Sequence, residues 1–268
     1  MGEKRRFWFS RTFLAIVGSI FLLVFLAYGW GFQIVMSWKF RQETKANPVL
    51  ALTPQKLPEV EPNLTSGAKL SDAGFSFEVP WDDLDTQKTR FVNQMAVYAF
   101  RSGRALMFFG PSPTHEDLMS TVQKSFGGTS ISTIFGSEAT KSNYNFHKTM
   151  LDLTPSKVTP WMNQRDAVQS SVLLMFKAIS SVGGNTGIFV AEANNWKGFQ
   201  FDDPARNPKQ ITLELYDDQD RHVEVIFCPG RESAAAISQA DVNRVIWTLA
   251  PADTLLSKAE LSRVNRGR

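Results

Sequence analysis

The feature that most constrains this chain is an uncharged apolar run from Phe13 to Met36, twenty-four residues long. At 1.5 Å per helical residue such a run can cross a hydrocarbon core of about 30 Å, and a domain of this size needs no segment like it for its own core. The expectation is one transmembrane helix over residues 12–38, behind a basic N-terminus at 1–11. A cleavable signal peptide is the rival reading, because Lys4, Arg5, Arg6 and Arg11 precede the run in the usual order. Signal h-regions, however, span about 7 to 15 residues and end in a small-x-small site. Here Tyr28, Gly29, Trp30, Gly31 and Phe32 carry the run onward to Met36. An uncleaved signal anchor fits better, with Phe7 and Trp8 at one end and Tyr28, Trp30 and Trp38 toward the other as interfacial aromatics.

Orientation follows from the flanking cations: four Lys/Arg before the run against Lys39, Arg41 and Lys45 soon after it. The positive-inside rule then places the N-terminus in the cytoplasm and the C-terminal domain outside it, in the periplasm if the source is bacterial. The lone Cys228 excludes an intramolecular disulfide and is compatible with either side. Asn63-Leu64-Thr65 is a formal glycosylation sequon, meaningful only in a eukaryotic secretory chain.

The net charge of +3 would suggest nucleic acid if it were spread over the fold. It is not. Residues 1–42 hold six Lys/Arg against one acid and residues 251–268 four against two, so the body between them is mildly acidic. Basic residues beside a membrane span serve topology and headgroups, and the expectation is a membrane partner and no nucleic acid.

Residues 39–70 contain Pro48, Pro54, Pro58 and Pro62 and read as an extended linker, with Val49-Leu50-Ala51-Leu52 apolar enough to pack along the domain instead. Residues 71–250 read as one globular domain, and 251–268 as a basic tail. Phe75, Phe77 and Val79 alternate as a half-buried strand closed by Pro80. Phe91 to Phe100 and Ala105 to Phe109 read as two strands turned at Arg101-Ser102-Gly103-Arg104. A helix is expected from Ser112 or Thr114 to Phe126, another from Asn143 to Leu153, and a third from Trp161 to Val182. The third places Ala167, Val168, Val172, Met175, Phe176, Ile179 and Val182 on one broad face, read as core. Strands follow at Gly187 to Ala193, Lys197 to Phe201, Ile211 to Leu215 and Val223 to Phe227, with Asp217-Asp218-Gln219-Asp220 as an exposed hairpin tip. Ser238 and Asp241 cap a last helix that turns Val242, Val245, Ile246 and Leu249 inward. Strands at both ends with helices between them argue for α+β with a mostly antiparallel sheet packed with helices.

The stretch Ala73-Gly74-Phe75-Ser76-Phe77-Glu78-Val79-Pro80-Trp81 resembles the opening strand of PsbP-like domains. That resemblance implies an antiparallel α+β sandwich closed by a C-terminal helix, in a group of binding and assembly modules; it carries over no catalytic residue.

The sequence shows no catalytic constellation. His115, His147 and His222 form no local pair or metal-ligand spacing, so no metal site is expected. Cys228 and His222 lie six residues apart on one strand, about 20 Å, too far for a dyad. Gly136 to Ser142 lacks the second glycine of a phosphate loop, there is no G-x-S-x-G elbow, and the acidic turns do not match a Ca²⁺ loop. No cofactor is expected. Trp161, Trp196 and Phe199 are the candidate interaction surface, because large rigid aromatics anchor contacts when exposed. The expectation is a non-catalytic, membrane-anchored, extracytoplasmic interaction domain with a protein partner in a membrane complex, as an accessory or assembly subunit. A membrane-tethered hydrolase using dispersed residues, or a small-molecule or lipid sensor, are the alternatives.

Overall fold

A computed structural model describes residues 31–57, 59–65, 67–92, 95–110, 119–120, 123–124, 130–180, 187–206, 208–230 and 236–252. Its elements are α1 (Gly31–Ala46), β1 (Gln55–Lys56), β2 (Ala68–Asp72), β3 (Phe75–Val79), β4 (Arg90–Val92), β5 (Met95–Ala99) and β6 (Ala105–Phe109). They continue with α2 (Ile131–Phe135), α3 (Asn143–Asp152), α4 (Gln164–Ser180), β7 (Ile188–Ala193), β8 (Trp196–Phe201), β9 (Ile211–Tyr216), β10 (His222–Cys228), α5 (Gln239–Thr248) and β11 (Ala250–Pro251). The class is α+β, as the strand and helix order suggests. The first thirty residues and most of the helix expected before Phe126 lie outside the described residues. Among the described residues, no helix is long and apolar enough to cross a membrane.

Two sheets build the fold. The larger runs β1-β7-β8-β9-β10-β6-β5-β4 and the smaller β11-β3-β2. All pairings are antiparallel except β1 with β7. Period-two alternation assigns the two faces of the large sheet. Ile211, Leu213 and Leu215 of β9 and Val223, Val225 and Phe227 of β10 join Leu106 and Phe108 in one core. Over it lie Phe75 and Phe77 of the small sheet and Val242, Val245 and Ile246 of α5. Phe77 stacks on Phe108 at 5.1 Å, and the α5 capping box of Ser238 and Asp241 forms as the sequence indicates.

The opposite face of the large sheet, with Phe199, Phe201 and Tyr216, packs against Phe135, Phe146, Met150 and Leu173 of α2, α3 and α4. A third cluster joins Phe40 of α1, Leu50, Val158 and Leu174, with Met36 and Ala178 at its edge.

Two expectations about packing are corrected. Within the stretch read as an extended linker, helix α1 persists to Ala46, Pro48–Ala51 form a 3₁₀ turn and Gln55–Lys56 pair with β7. The reason is burial: Phe40, Val49 and Leu50 each find an apolar seat on the domain. In α4, Val168, Met175 and Ile179 are exposed, whereas Ala167, Ser171, Leu173, Leu174 and Lys177 are buried and Phe176 lies between. This helix is apolar on two sides, so periodicity alone could not say which side meets the sheet.

Candidate functional site

The face of the large sheet beneath α3 carries an ionisable cluster. In the β9–β10 ladder Glu214 stands directly across from Glu224, and Tyr216 across from His222. All four belong to the positions that alternate away from the aliphatic core. Gly198 of β8 lets the neighbouring strand approach closely here, because a Cβ at that position would meet the Glu214 carbonyl oxygen at 1.8 Å.

His147 descends onto this patch from α3. Its Nδ1 lies 3.0 Å from the Asn143 carbonyl oxygen. A carbonyl only accepts, so Nδ1 carries the proton and Nε2 is aimed at Glu214, 3.8 Å from Oε2. The imidazole also faces the Tyr216 ring at 5.5 Å and the His222 ring at 6.1 Å, while Tyr216 and His222 stack at 4.8 Å. His147 and Glu214 are both partly open to solvent at their side chains.

Asp220 sets the position of α3. It sits at the end of the β9–β10 turn with a positive φ of 59°, and its carboxylate accepts from the backbone N–H of Asn143 at 2.5 Å and of Tyr144 at 3.1 Å. An acid there satisfies orphan donors at the start of the helix and favours its dipole. Asp217 of the same turn is buried and paired with Arg221. The acidic turn is exposed at Asp218 and Gln219, as the hairpin-tip reading expects, while the carboxylates of Asp217 and Asp220 are engaged by backbone donors and an arginine.

Burial decides the protonation of the cluster. It raises the Glu214 carboxyl, against the opposing pull of His147. Burial, and then the neighbouring Glu214 charge, push Glu224 up to about 7. Burial lowers His222 to about 3, with His147 adding to the effect, and raises the Tyr216 phenol. Among the described residues, Glu214 Oε2 and the Tyr216 hydroxyl are buried without a hydrogen-bond partner. The arrangement favours the protonated form of both carboxyls, with Glu224 near neutrality. Among the described residues no group of three or more His, Cys, Asp or Glu is placed to hold a metal ion.

The sequence shows no histidine pair, yet the fold stacks His147 on His222. A signal existed: Glu214, Tyr216, His222 and Glu224 all occupy the outward phase of two strands joined by a tight turn. What could not be read is the helix that lands on them. His115 lies outside the described residues.

The three aromatics expected to form a surface separate. Trp161 is 76% exposed, just before α4. Trp196 is only 4% exposed, with its indole N–H donating to the Leu249 carbonyl oxygen at 2.8 Å and its ring against Phe75 at 5.7 Å. Phe199 is 1% exposed and stacks on Tyr144 at 5.7 Å. Trp196 and Phe199 are thus core residues on opposite faces of β8, and neither can anchor an outside contact.

No protein family matches the chain, and neither curated proteins nor solved structures yield a similar one. The resemblance to PsbP-like domains rests on the β3 segment alone.

Proposed function

We propose that this is a single-pass membrane protein that presents a non-catalytic α+β interaction domain outside the cytoplasm, as an accessory or assembly subunit of a membrane complex. One observation carries the reading. The apolar run does not end in loose chain: its last residues, Gly31 to Met36, already belong to α1, and α1 is seated on the domain through Phe40. The described end of a segment fit to span a bilayer, from Gly31 on, is thereby helix that reaches the folded body, which suits a domain held at a fixed place in an assembly.

Trp161 and Val168 supply the protein contact in this reading. Both are exposed apolar side chains, Trp161 just before α4 and Val168 in its first half, and exposed tryptophan is favoured at contact centres. Gentle detergent extraction of the full chain should bring down one membrane protein in stoichiometric amount. The double variant Trp161→Ala, Val168→Glu should lose it while eluting as a folded species. Recovery of the chain alone, under conditions that keep known membrane complexes intact, overturns the reading.

The cluster of His147, Glu214, Tyr216, His222 and Glu224 favours a second reading, a membrane-tethered enzyme using acid-base chemistry. A carboxyl raised by burial beside an imidazole, with a second pushed up to about 7 across the ladder, is suited to proton transfer. It ranks second because the described residues place no nucleophile on His147.

A further inference from the structure

Two helices of this domain bury polar side chains beside apolar ones, Phe40 on α1 and Leu173 and Leu174 on α4, and leave large apolar side chains outside. On α1 the side turned to the protein carries Gln33 and Ser37, 2% and 3% exposed, whereas the outer side carries Val35 and Trp38, 56% and 64% exposed, with Ile34 beside them. On α4 the buried side includes Ser171 and Lys177, and the outer side shows Met175 and Ile179, the latter 75% exposed. Helices at a water boundary have the opposite arrangement, polar outward and apolar inward. Apolar outward with polar groups satisfied inside is the arrangement suited to lipid surroundings.

The polar groups on the inner side of α4 are provided for. The Ser171 hydroxyl donates to the Ala167 carbonyl oxygen at 2.7 Å. The Lys177 ammonium donates to the carbonyl oxygens of Leu52, Leu151 and Leu153 at 2.6, 2.8 and 2.8 Å. Helix α4 is therefore not a rotated misfit in search of a core. The outer faces of the two helices await a surrounding of another kind.

We infer that the outer faces of α1 and the C-terminal half of α4 dock on the surface of an anionic lipid bilayer, so that the domain lies against the membrane. The inference deepens the proposed function and rests on its anchor. Three observations commit it to lipid. The apolar run of the sequence reaches into α1 as far as Met36, so the exposed Ile34 and Val35 lie at the end of the segment read as the span. Met36 and Ala178 flank the same small core, which places the last turns of α4 beside the start of α1. Past Trp38 the exposed side chains of α1 include Lys39, Arg41 and Lys45 against the single acid Glu43. An apolar end, an interfacial tryptophan and then three cations is the order met on leaving acyl chains for phosphate headgroups. Val168 lies eleven residues from Ile179, about 16 Å along the helix, and stays clear of that level for a protein contact.

Spin-label accessibility on the full chain tests this. Nitroxides are placed singly at Val35→Cys, Met175→Cys, Ile179→Cys and, as a solvent reference, Glu192→Cys, all in a Cys228→Ser background. The chain is reconstituted in vesicles of phosphatidylcholine with phosphatidylglycerol. Collisions with oxygen, which enters lipid, are compared with those of a water-soluble nickel chelate. The ratio at Met175 and Ile179 should exceed that at Glu192 severalfold, and should fall when Lys39, Arg41 and Lys45 are changed together to Gln or when the vesicles are phosphatidylcholine alone. Ratios at Met175 and Ile179 equal to Glu192, in protein that resists carbonate extraction, overturn the docking and leave the anchor standing. Ratios insensitive to both charge changes overturn the anionic preference. Release by carbonate overturns the anchor reading itself.

Discussion

The Lys177 ammonium lies 2.6 Å from the carbonyl oxygen of Leu52, a residue 125 positions earlier in the chain. With its bonds to Leu151 and Leu153 it ties the segment after α1, the end of α3 and the last turn of α4 into one unit. Lys177→Ala leaves three carbonyls to find new donors and should destabilise the detergent-solubilised protein by about 2 to 4 kcal/mol in chemical unfolding. Burial lowers Lys177 from 10.5 to about 8. The unfolded chain then binds more protons than the folded one between these values, so stability should rise as pH climbs from about 8 toward 10.5, by on the order of 2 kcal/mol. In Lys177→Ala that rise should be absent.

The two sides of α4 should respond oppositely to truncation. Phe176 packs edge-on against Phe135 at 5.5 Å and Phe146 at 5.8 Å. Phe176→Ala should cost about 2 to 4 kcal/mol, below the full core value because the ring is half buried. Ile179→Ser should stay within about 0.5 kcal/mol in detergent. Equal losses at the two positions would show that the exposed stripe is packed.

Glu224 and His222 pull the pH dependence of stability in opposite directions. A carboxyl raised to about 7 stabilises while protonated and loses that contribution as pH rises from about 4.5 to 7. A histidine lowered to about 3 is destabilising when the unfolded chain can protonate, so its contribution grows as pH rises from about 3 to 6.5. Wild-type stability should therefore change little from pH 4.5 to 6.5. Glu224→Gln removes one falling branch and leaves that of Glu214, so thermal unfolding of that variant should shift upward with pH relative to wild type across this window. A pH profile parallel to wild type would show that Glu224 ionises normally.

Asp220 should matter more than a loop acid ordinarily does. Its carboxylate caps α3 from another element, so Asp220→Ala should cost about 1 to 2 kcal/mol. Asp220→Asn keeps an acceptor and tolerates the positive φ, and should lose about half as much. If alanine is neutral in urea unfolding, the cap contributes nothing and α3 is placed by its apolar side alone.

Protease added to intact spheroplasts should digest the domain under the proposed topology, in which the basic flank directs the N-terminus inward. Protection until lysis would reverse the orientation.

By itself the sequence determined the parts that local physics settles. Alternation over Phe75 to Val79 and in the β9–β10 hairpin placed strands, and the Ser238-Asp241 pair placed the start of α5, because each depends on neighbours a few residues away. Only the tertiary structure decided which side of α4 is inside, since a helix apolar on two faces has no unique inward direction until a sheet and a lysine's acceptors select one. The same holds for the site. His147 and His222 are seventy-five positions apart, and what stacks them is the Asp220 carboxylate at the N-terminus of α3, a contact between elements that no local pattern encodes. Trp196 shows the limit from the other direction. A tryptophan beside a turn carries the same composition whether it faces solvent or reaches 53 residues onward to the Leu249 carbonyl, and the fold chose the second.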